Sequence, residues 1–309
     1  MTISLRKLQV FIRIAATGQV TRAAKELRLS QSAVSMALAS LENEHGGPLF
    51  QRIGRRLILN DRGRMLRPYA EQILHQVDNL SSMLDDSQEQ PCGNLHIGAS
   101  TTIGNYLLPE LIAKFTQRYH LAKVQLQIAN SEQIAQAVRN GDLDLGLIEG
   151  PCHLDELNCI KWRDDELVVI TAPEHEWNKQ KQVERQQLFH GNWIVREVGS
   201  GTREVIEKAL GCNLNSIQST LELGHTEAIK RGVEAGLGVS CLSRLAVQHE
   251  LDQKRLTAIA TPLCLKRQLS LLLRSDCYQT KLVRAAIEIL KPTAPICTAI
   301  TPTDCAPIR

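Results

Sequence analysis

The sequence predicts a mixed α/β fold in two unlike parts, and three observations carry that prediction. Between Gly18 and Leu41 the chain reads as two short helices joined by a tight turn. From about residue 93 onward strands alternate with helices, the pattern of α/β layers with largely parallel sheets. The charge divides at the same place. Residues 1–70 hold twelve Lys/Arg against four acids, a charge of +8, which leaves −5 on the rest of a chain whose total is +3. A basic head on an acidic body is the footprint of a nucleic-acid-binding module joined to a part with a different partner.

Taken in order, residues 4–16 are predicted to form a helix with Leu5, Leu8, Phe11 and Ile14 or Ala15 turned inward. In the next helix Ala23, Ala24 and Leu27 share a face; in the one after, Ala33, Val34, Ala37, Leu38 and Leu41 do. Arg28-Leu29-Ser30 joins them, and Ser30 is placed to cap the second by accepting from an N–H of its first turn. Alanines at the crossing let the two backbones approach closely. The outer face of the second helix, with Gln31, Ser32, Ser35 and Met36, is short and uncharged and carries hydrogen-bonding groups. It suits insertion into a DNA major groove, where amides and hydroxyls read base edges. An ordinary helical hairpin has the same apolar pattern, so the neighbouring residues must decide. Gly46-Gly47-Pro48 ends the helix. Leu49 to Leu59 then fits a hairpin with Gly54 at its tip, a wing whose Arg52, Arg55 and Arg56 would grip phosphates.

These residues carry a resemblance to the LysR-type transcriptional regulators. Leu8, Phe11, Gly18, Ala23-Ala24, Leu27, Ser30-Gln31-Ser32-Ala33-Val34-Ser35, Leu41-Glu42, Gly46, Leu49-Phe50 and Arg52 stand in register with that family's N-terminal signature. His45 and Gln19-Val20 depart from it, in places where the family mostly has an apolar residue and a small-plus-aromatic pair. The resemblance implies a winged helix-turn-helix over 1–60 and a linker helix over 61–90 that makes a homodimer, paired again into a homotetramer. The residue pattern points the same way. From Asp61 to about Asp86, Leu66, Tyr69, Ile73, Val77, Leu80 and Leu84 recur at spacings of three and four, a seam that calls for a partner helix. Double-stranded DNA is the implied partner, with RNA polymerase a further one if the regulator activates.

Polar Ser87–Gln90 followed by Pro91 and Gly93 marks the boundary of the body. Strands are predicted at 94–99, 124–128, 143–148, 167–172, 193–196, 239–242 and 267–273, and helices at 105–118, 131–140, 205–210 and 226–235. The resemblance implies two α/β lobes like those of periplasmic solute-binding proteins, filling 91–291. Lobe one is expected at about 93–163 plus 267–291 and lobe two at about 164–266, with Glu149-Gly150-Pro151 marking a crossover. Residues 292–309, rich in Pro and Thr, are expected to be a mobile tail.

Ligands of open α/β sheets sit at the carboxyl ends of strands, against helix N-termini. Four such places here carry hydroxyls, amides or glycines: Ser100-Thr101-Thr102, Asn130-Ser131, Ser200-Gly201-Thr202 and the turn leading into Thr226. Helix N-termini favour anions, and Arg196 and Arg203 add full charges. One such place alone is more often a plain helix cap. Four together predict a cleft for a small anionic effector, an oxyanion or small carboxylate. Glu149 is placed either to read a donor on that ligand or to pair with an arginine.

No enzyme signature stands out: there is no local nucleophile triad, metal cluster or cofactor fingerprint, and the Gly-x-Gly at 199–201 lacks the Lys-Ser/Thr of a P-loop. Neither a catalytic nor a metal site is expected, and no cofactor. The nine cysteines are scattered without a C-x-x-C pair, which suits reduced thiols in a cytoplasmic chain. A thiol switch through Cys152 and Cys159 is the rival to an anion as the regulatory signal. The chain has no run of 18 or more apolar residues to span a membrane.

Overall fold

The structure, a computed structural model, describes residues 3–291 apart from 55, 85–89, 215, 216, 218, 219 and 276. Arg55, the end of the expected linker helix and the expected tail at 292–309 therefore lie outside the described residues.

The N-terminal module is three helices and a hairpin. Helix α1 (Leu5–Thr17) is capped by the Ser4 hydroxyl and closed by Gly18 in the left-handed region. Helix α2 (Val20–Leu27) ends at Arg28, whose φ of 54° is unusual for a residue with a Cβ and makes the sharp turn toward the next helix. Helix α3 (Gln31–Glu44) opens with the Ser30 hydroxyl accepting from the Ala33 N–H at 3.1 Å, as expected. The three close over Leu8, Val10, Phe11, Ile14, Ala23, Ala24, Val34, Leu38 and Leu41. Leu5, expected to face inward, is 42% exposed because the first turn of α1 projects beyond this core. Strands β1 (Phe50–Ile53) and β2 (Arg56–Leu59) pair antiparallel around Gly54 as the wing.

Helix α4 (Asp61–Leu84) follows. Its apolar seam divides rather than running straight. Leu66 and Leu74 pack on the N-terminal core, whereas Met65, Tyr69, Ile73 and Leu80 stay exposed, Met65 at 72% and Tyr69 at 66%. Met65 thus takes the outward place expected of Leu66.

Two lobes make up the body. In the first, β3 (Gly93–Ser100) leads through α5 (Thr101–Tyr106) and α6 (Leu108–Arg118) to β4 (Ala122–Ala129), then α7 (Ser131–Asn140) and β5 (Leu145–Glu149). Strand β3 lies between β4 and β5 and is parallel to both. The chain then turns back into the long β6 (Leu157–Thr171). The second lobe holds α8 (Arg185–Leu188), β7 (Trp193–Val195), α9 (Gly201–Leu210), β8 (Thr220–Glu222), α10 (Thr226–Glu234), β9 (Ser240–Ser243), α11 (Arg244–Asp252) and β10 (Thr257–Ile259). Strand β11 (Lys266–Arg274) returns to the first lobe, which α12 (Lys281–Leu290) completes.

Two features correct the expectation. The sheets are mixed, since β11 runs antiparallel to both β5 and β6, and β6 antiparallel to β9 and β10. The crossing between lobes lies along β6 and not at Glu149-Gly150-Pro151. Residues up to Glu166 pair with β11, and from Leu167 the same strand pairs with β9. One continuous strand, with β11 returning beside it, forms the hinge.

Candidate nucleic-acid interface and interlobe site

The recognition face stands clear of the core. Gln31, Ser32, Ser35 and Met36 are all exposed on α3, while Val34, Leu38 and Leu41 hold the opposite face down. Ser32 Oγ lies 3.0 Å from Ser30 Oγ, which ties it to the cap and leaves Gln31 and Ser35 as the freer polar groups. On the wing Arg52 and Arg56 are both exposed. An uncharged, exposed helix face flanked by a basic hairpin is compatible with the expectation of base contacts on one element and phosphate contacts on the other.

The predicted effector residues are buried, and some of them lie where the two lobes touch. Ser100, Thr101, Thr102, Asn130, Ser131, Glu149, Arg196, Ser200, Thr202, Arg203 and Thr226 are all buried. They do not ring an open cleft. The two lobes meet through direct hydrogen bonds: Arg196 Nη2 donates to Thr101 Oγ1 at 3.1 Å, and the Glu132 N–H to the Gly199 carbonyl at 3.2 Å. Tyr106 and Glu227 bond at 3.0 Å on the far side. The cavity beside Arg196, Thr202 and Arg203, within the second lobe, measures about 10 Å³, whereas a pocket of about 260 Å³ between the lobes is lined by Ser131, Glu132, Cys152, His153, Gly199 and Glu204.

At the centre lies an ion cluster that the sequence signals only in part. Glu149, at the end of β5, receives the Thr102 N–H at 2.7 Å, the anion position at the start of α5. Its other oxygen is 2.7 Å from Nη1 of Arg267, whose Nε is 2.7 Å from Asp165. The Arg267 side chain is wholly buried and also reaches Thr202 Oγ1 at 2.9 Å. Burial alone would raise the Glu149 pKa, but the Arg267 charge, with Ser100 and Thr102 beside it, holds the carboxyl at about 2. Burial opposes the Arg267 charge, and the two carboxylates overcome it, so its pKa is raised. Of the two alternatives for Glu149, pairing with an arginine is the one realised.

Arg267 is absent from the residues expected here, yet β11 carries a signal for it. In Lys266-Arg267-Gln268-Leu269-Ser270-Leu271, period-two alternation puts Arg267 on the face of Leu269 and Leu271. A charge on a buried strand face needs a partner.

The remaining residues sort by what they touch. Asn130 caps α7 through its side chain, the ordinary reading of that position. Ser131 Oγ bonds the backbone of Glu149. Arg203 turns to Glu207 and Glu222, so it serves the second lobe and not the interface. Gly201 is there for space: a Cβ would fall 1.8 Å from the Glu149 carbonyl oxygen. Thr226 Oγ1 is buried without a hydrogen-bond partner, and neither α9 nor α10 has a side-chain cap. Ser100 Oγ lies beside Glu149 and favours its charged form, yet its geometry makes no hydrogen bond.

A winged helix-turn-helix carried by a long helix and followed by a hinged two-lobed body defines a DNA-binding regulator with an effector-binding domain. Comparison with known families agrees. Residues 5–64 match the bacterial regulatory helix-turn-helix protein model of the lysR family, and residues 88–295 match the LysR substrate binding domain. The chain belongs to the LysR family. Curated relatives are transcriptional regulators. It is 42% identical over 263 residues, 85% of this chain and 88% of its relative, to the Escherichia coli HTH-type transcriptional regulator YeiE. It is 33% identical over 259 residues, 84% and 85% of the two chains, to the RuBisCO operon transcriptional regulator of Allochromatium vinosum. Full-length CbnR complexed with its target DNA shares the fold at a TM-score of 0.66 and 18% identity, over 93% of this chain and 99% of that one. The regulatory domain of Synechocystis CcmR, in complex with 2-PG, matches at 27% identity and a TM-score of 0.58, over 64% of this chain and 95% of that one.

Proposed function

We infer that this LysR-family regulator answers to a small anion, an oxyanion or small carboxylate, taken up between the two lobes. The observation that carries the reading is the convergence of hydroxyls and one buried guanidinium from both lobes on a single interface. Thr101 and Thr102 stand on one side. Arg196, Ser200, Thr202 and Thr226 stand on the other, with Thr226 Oγ1 unbonded. An anion would take over the Arg196–Thr101 bond and the uncapped N-termini of α9 and α10, redrawing how the lobes close. That CcmR's regulatory domain is found in complex with 2-PG supports a small ligand for the body of this chain.

The exposed stripe of Met65, Tyr69, Ile73 and Leu80 supports dimerisation along α4, which would present two recognition helices to a two-fold-symmetric DNA site. A change in lobe closure would then alter subunit placement and so the spacing and bend of the DNA, a coupling of about 1–3 kcal/mol. The thiol alternative is weaker. Burial raises the pKa of Cys152, which disfavours the reactive thiolate, and burial pushes Cys241 to about 12.

A thermal-shift screen against sulfate, sulfite, phosphate, 2-PG and small carboxylates tests the reading. A ligand at 100 times its dissociation constant should add about 2.7 kcal/mol. The shift should vanish in Thr101→Val and Thr226→Val while DNA binding persists. A shift unchanged in both variants would put the ligand elsewhere. A response to peroxide that disappears in Cys152→Ser would favour the thiol switch instead.

A further inference from the structure

Away from the interlobe site, three metal-ligating side chains converge where α4 crosses the first lobe. His75 comes from the middle of α4, His96 from β3, and Asp144 from the residue just ahead of β5. His75 Nε2 is 3.5 Å from Asp144 Oδ1, and His96 Nδ1 is 3.7 Å from Asp144 Oδ2. The two imidazoles meet edge to face, with ring centroids 4.3 Å apart and planes at 88°. One nitrogen from each ring and one carboxylate oxygen all lie within 4.8 Å of one another. The side chains of His75 and Asp144 are each 8% exposed.

These distances are long for hydrogen bonds and run to the two different oxygens of Asp144. Ring nitrogen to carboxylate oxygen at 3.5–3.7 Å exceeds a good N–H···O bond. Ligand atoms bound to a tetrahedral zinc at its usual bond lengths stand about 3.3 Å apart. His96 Nδ1 is buried with no hydrogen-bond partner, a position a ring nitrogen seldom keeps unless something binds it.

Asp144 and His96 are also held in place by the main chain. The His96 N–H donates to Asp144 Oδ2 at 2.7 Å, and the Asp144 N–H to the His96 carbonyl at 2.9 Å. Ligands so oriented need little rearrangement to accept an ion. A cavity of about 410 Å³, lined in part by Asp144 and by Gln76, opens beside the cluster. It gives an entry path and room for water at a fourth position.

We propose that His75, His96 and Asp144 form a binding site for a late first-row divalent metal ion, Zn²⁺ foremost, that pins the linker helix to the first lobe. Two imidazoles and one carboxylate are the donors such ions prefer, and too few oxygens for Mg²⁺ or Ca²⁺. The site joins the halves of the molecule. Apart from it, Gln72 Nε2 to the Asn140 carbonyl at 2.6 Å is a further hydrogen bond between α4 and that end of the lobe. An ion there would fix the angle at which the DNA-binding head leaves the body.

The test is a Co²⁺ titration of the purified, chelator-treated full chain, followed by visible absorption and by Zn²⁺ competition in calorimetry. The expected result is one Co²⁺ per chain, with ligand-field bands of a four- or five-coordinate N/O site and no thiolate charge-transfer bands. His96→Gln and, separately, His75→Asn should weaken binding at least tenfold while keeping the wild-type far-ultraviolet dichroism and melting temperature without metal. His153→Gln should bind as the wild type does. Absence of Co²⁺ and Zn²⁺ binding by the wild-type chain would overturn the proposal. So would binding that persists unchanged in both variants, or bands that report cysteine ligands.

Discussion

Arg267→Met removes the cation that pairs with two buried carboxylates, and the expected loss follows from the geometry. Both ion pairs are 2.7 Å long and the Arg267 side chain has no exposure, so solvent cannot replace the missing charge. Breaking a buried pair by deleting one partner costs about 3–5 kcal/mol. The Glu149 carboxyl points the same way: its fall from 4.5 to about 2, net of burial and shared by Arg267 with Ser100 and Thr102, corresponds to about 3 kcal/mol of stabilisation at neutral pH. Urea unfolding is the assay. Trp162, Trp177 and Trp193, the three tryptophans of the chain, all lie buried in the body, so their fluorescence reports the lobes and not the DNA-binding head. A loss below about 1 kcal/mol would refute the assignment of this cluster as the buried brace of the hinge.

The pH dependence gives the same prediction a sign. In the wild type the folded carboxyl titrates below its unfolded value, so its contribution is fully present above pH 4.5 and is lost as pH falls toward 2. In Arg267→Met the charge that chiefly opposes burial is gone and only the Ser100 and Thr102 groups still favour the carboxylate, so the folded pKa of Glu149 should rise. The penalty is then felt at neutral pH and relieved on acidification. The stability gap between wild type and variant should therefore narrow between about pH 7 and about pH 4. A gap that widens would contradict the argument.

Other perturbations address the remaining parts of the molecule. Gln31→Ala or Ser35→Ala should reduce discrimination by about 1–3 kcal/mol for each hydrogen bond to a base edge that is removed, measured by competition between cognate and scrambled DNA, with the fold unchanged. Arg56→Ala should weaken binding to all sequences and make the slope of log K against log salt shallower by about one unit; an unchanged slope would remove the wing from the phosphates. Tyr69→Asp, in the exposed stripe of α4, should weaken self-association by more than about tenfold in sedimentation velocity, since a two-fold axis would bring like charges together. Gly201→Ala should destabilise the body by about 1–3 kcal/mol although alanine favours helix, because its Cβ would meet the Glu149 carbonyl oxygen at 1.8 Å.

The parts of the fold legible in the sequence are those set by local chemistry. Ser30 accepting from Ala33, Gly54 turning the wing, and Asn130 closing a capping box with Gln133 are short-range bonds with recognisable residue signatures. Only the last third of strand β6 is legible, because its first ten residues, Leu157 to Glu166, alternate poorly and include Lys161, Arg163, Asp164, Asp165 and Glu166. Its partner β11 lies about a hundred residues away, and nothing local records that pairing. The antiparallel return of β11 is hidden for the same reason. Strand–helix alternation encodes the presence of layers more readily than the direction of a distant strand.

The interlobe site shows why residue chemistry alone leaves function one step short. Hydroxyls and N–H groups at a helix start, with a cation nearby, make a place for an anion, and the sequence signals that place clearly at Ser100-Thr101-Thr102. An external ligand and the chain's own carboxylate satisfy the same groups. Here Glu149 takes the Thr102 N–H, and Arg267 supplies its counter-charge from a strand that only the folded chain brings near. The internal pair uses up one of the four predicted helix starts, and Asn130 capping α7 uses up a second. On the proposed reading, the starts of α9 and α10, with Arg196 between the lobes, are what is left for an effector. That leaves a physical demand on any ligand: it must compete with Thr101 and Glu197 for Arg196, both of which hold that guanidinium at 2.8–3.1 Å. A neutral ligand offers the guanidinium less than the Glu197 carboxylate already gives it, whereas an anion can match that bond and gain the two uncapped helix ends as well.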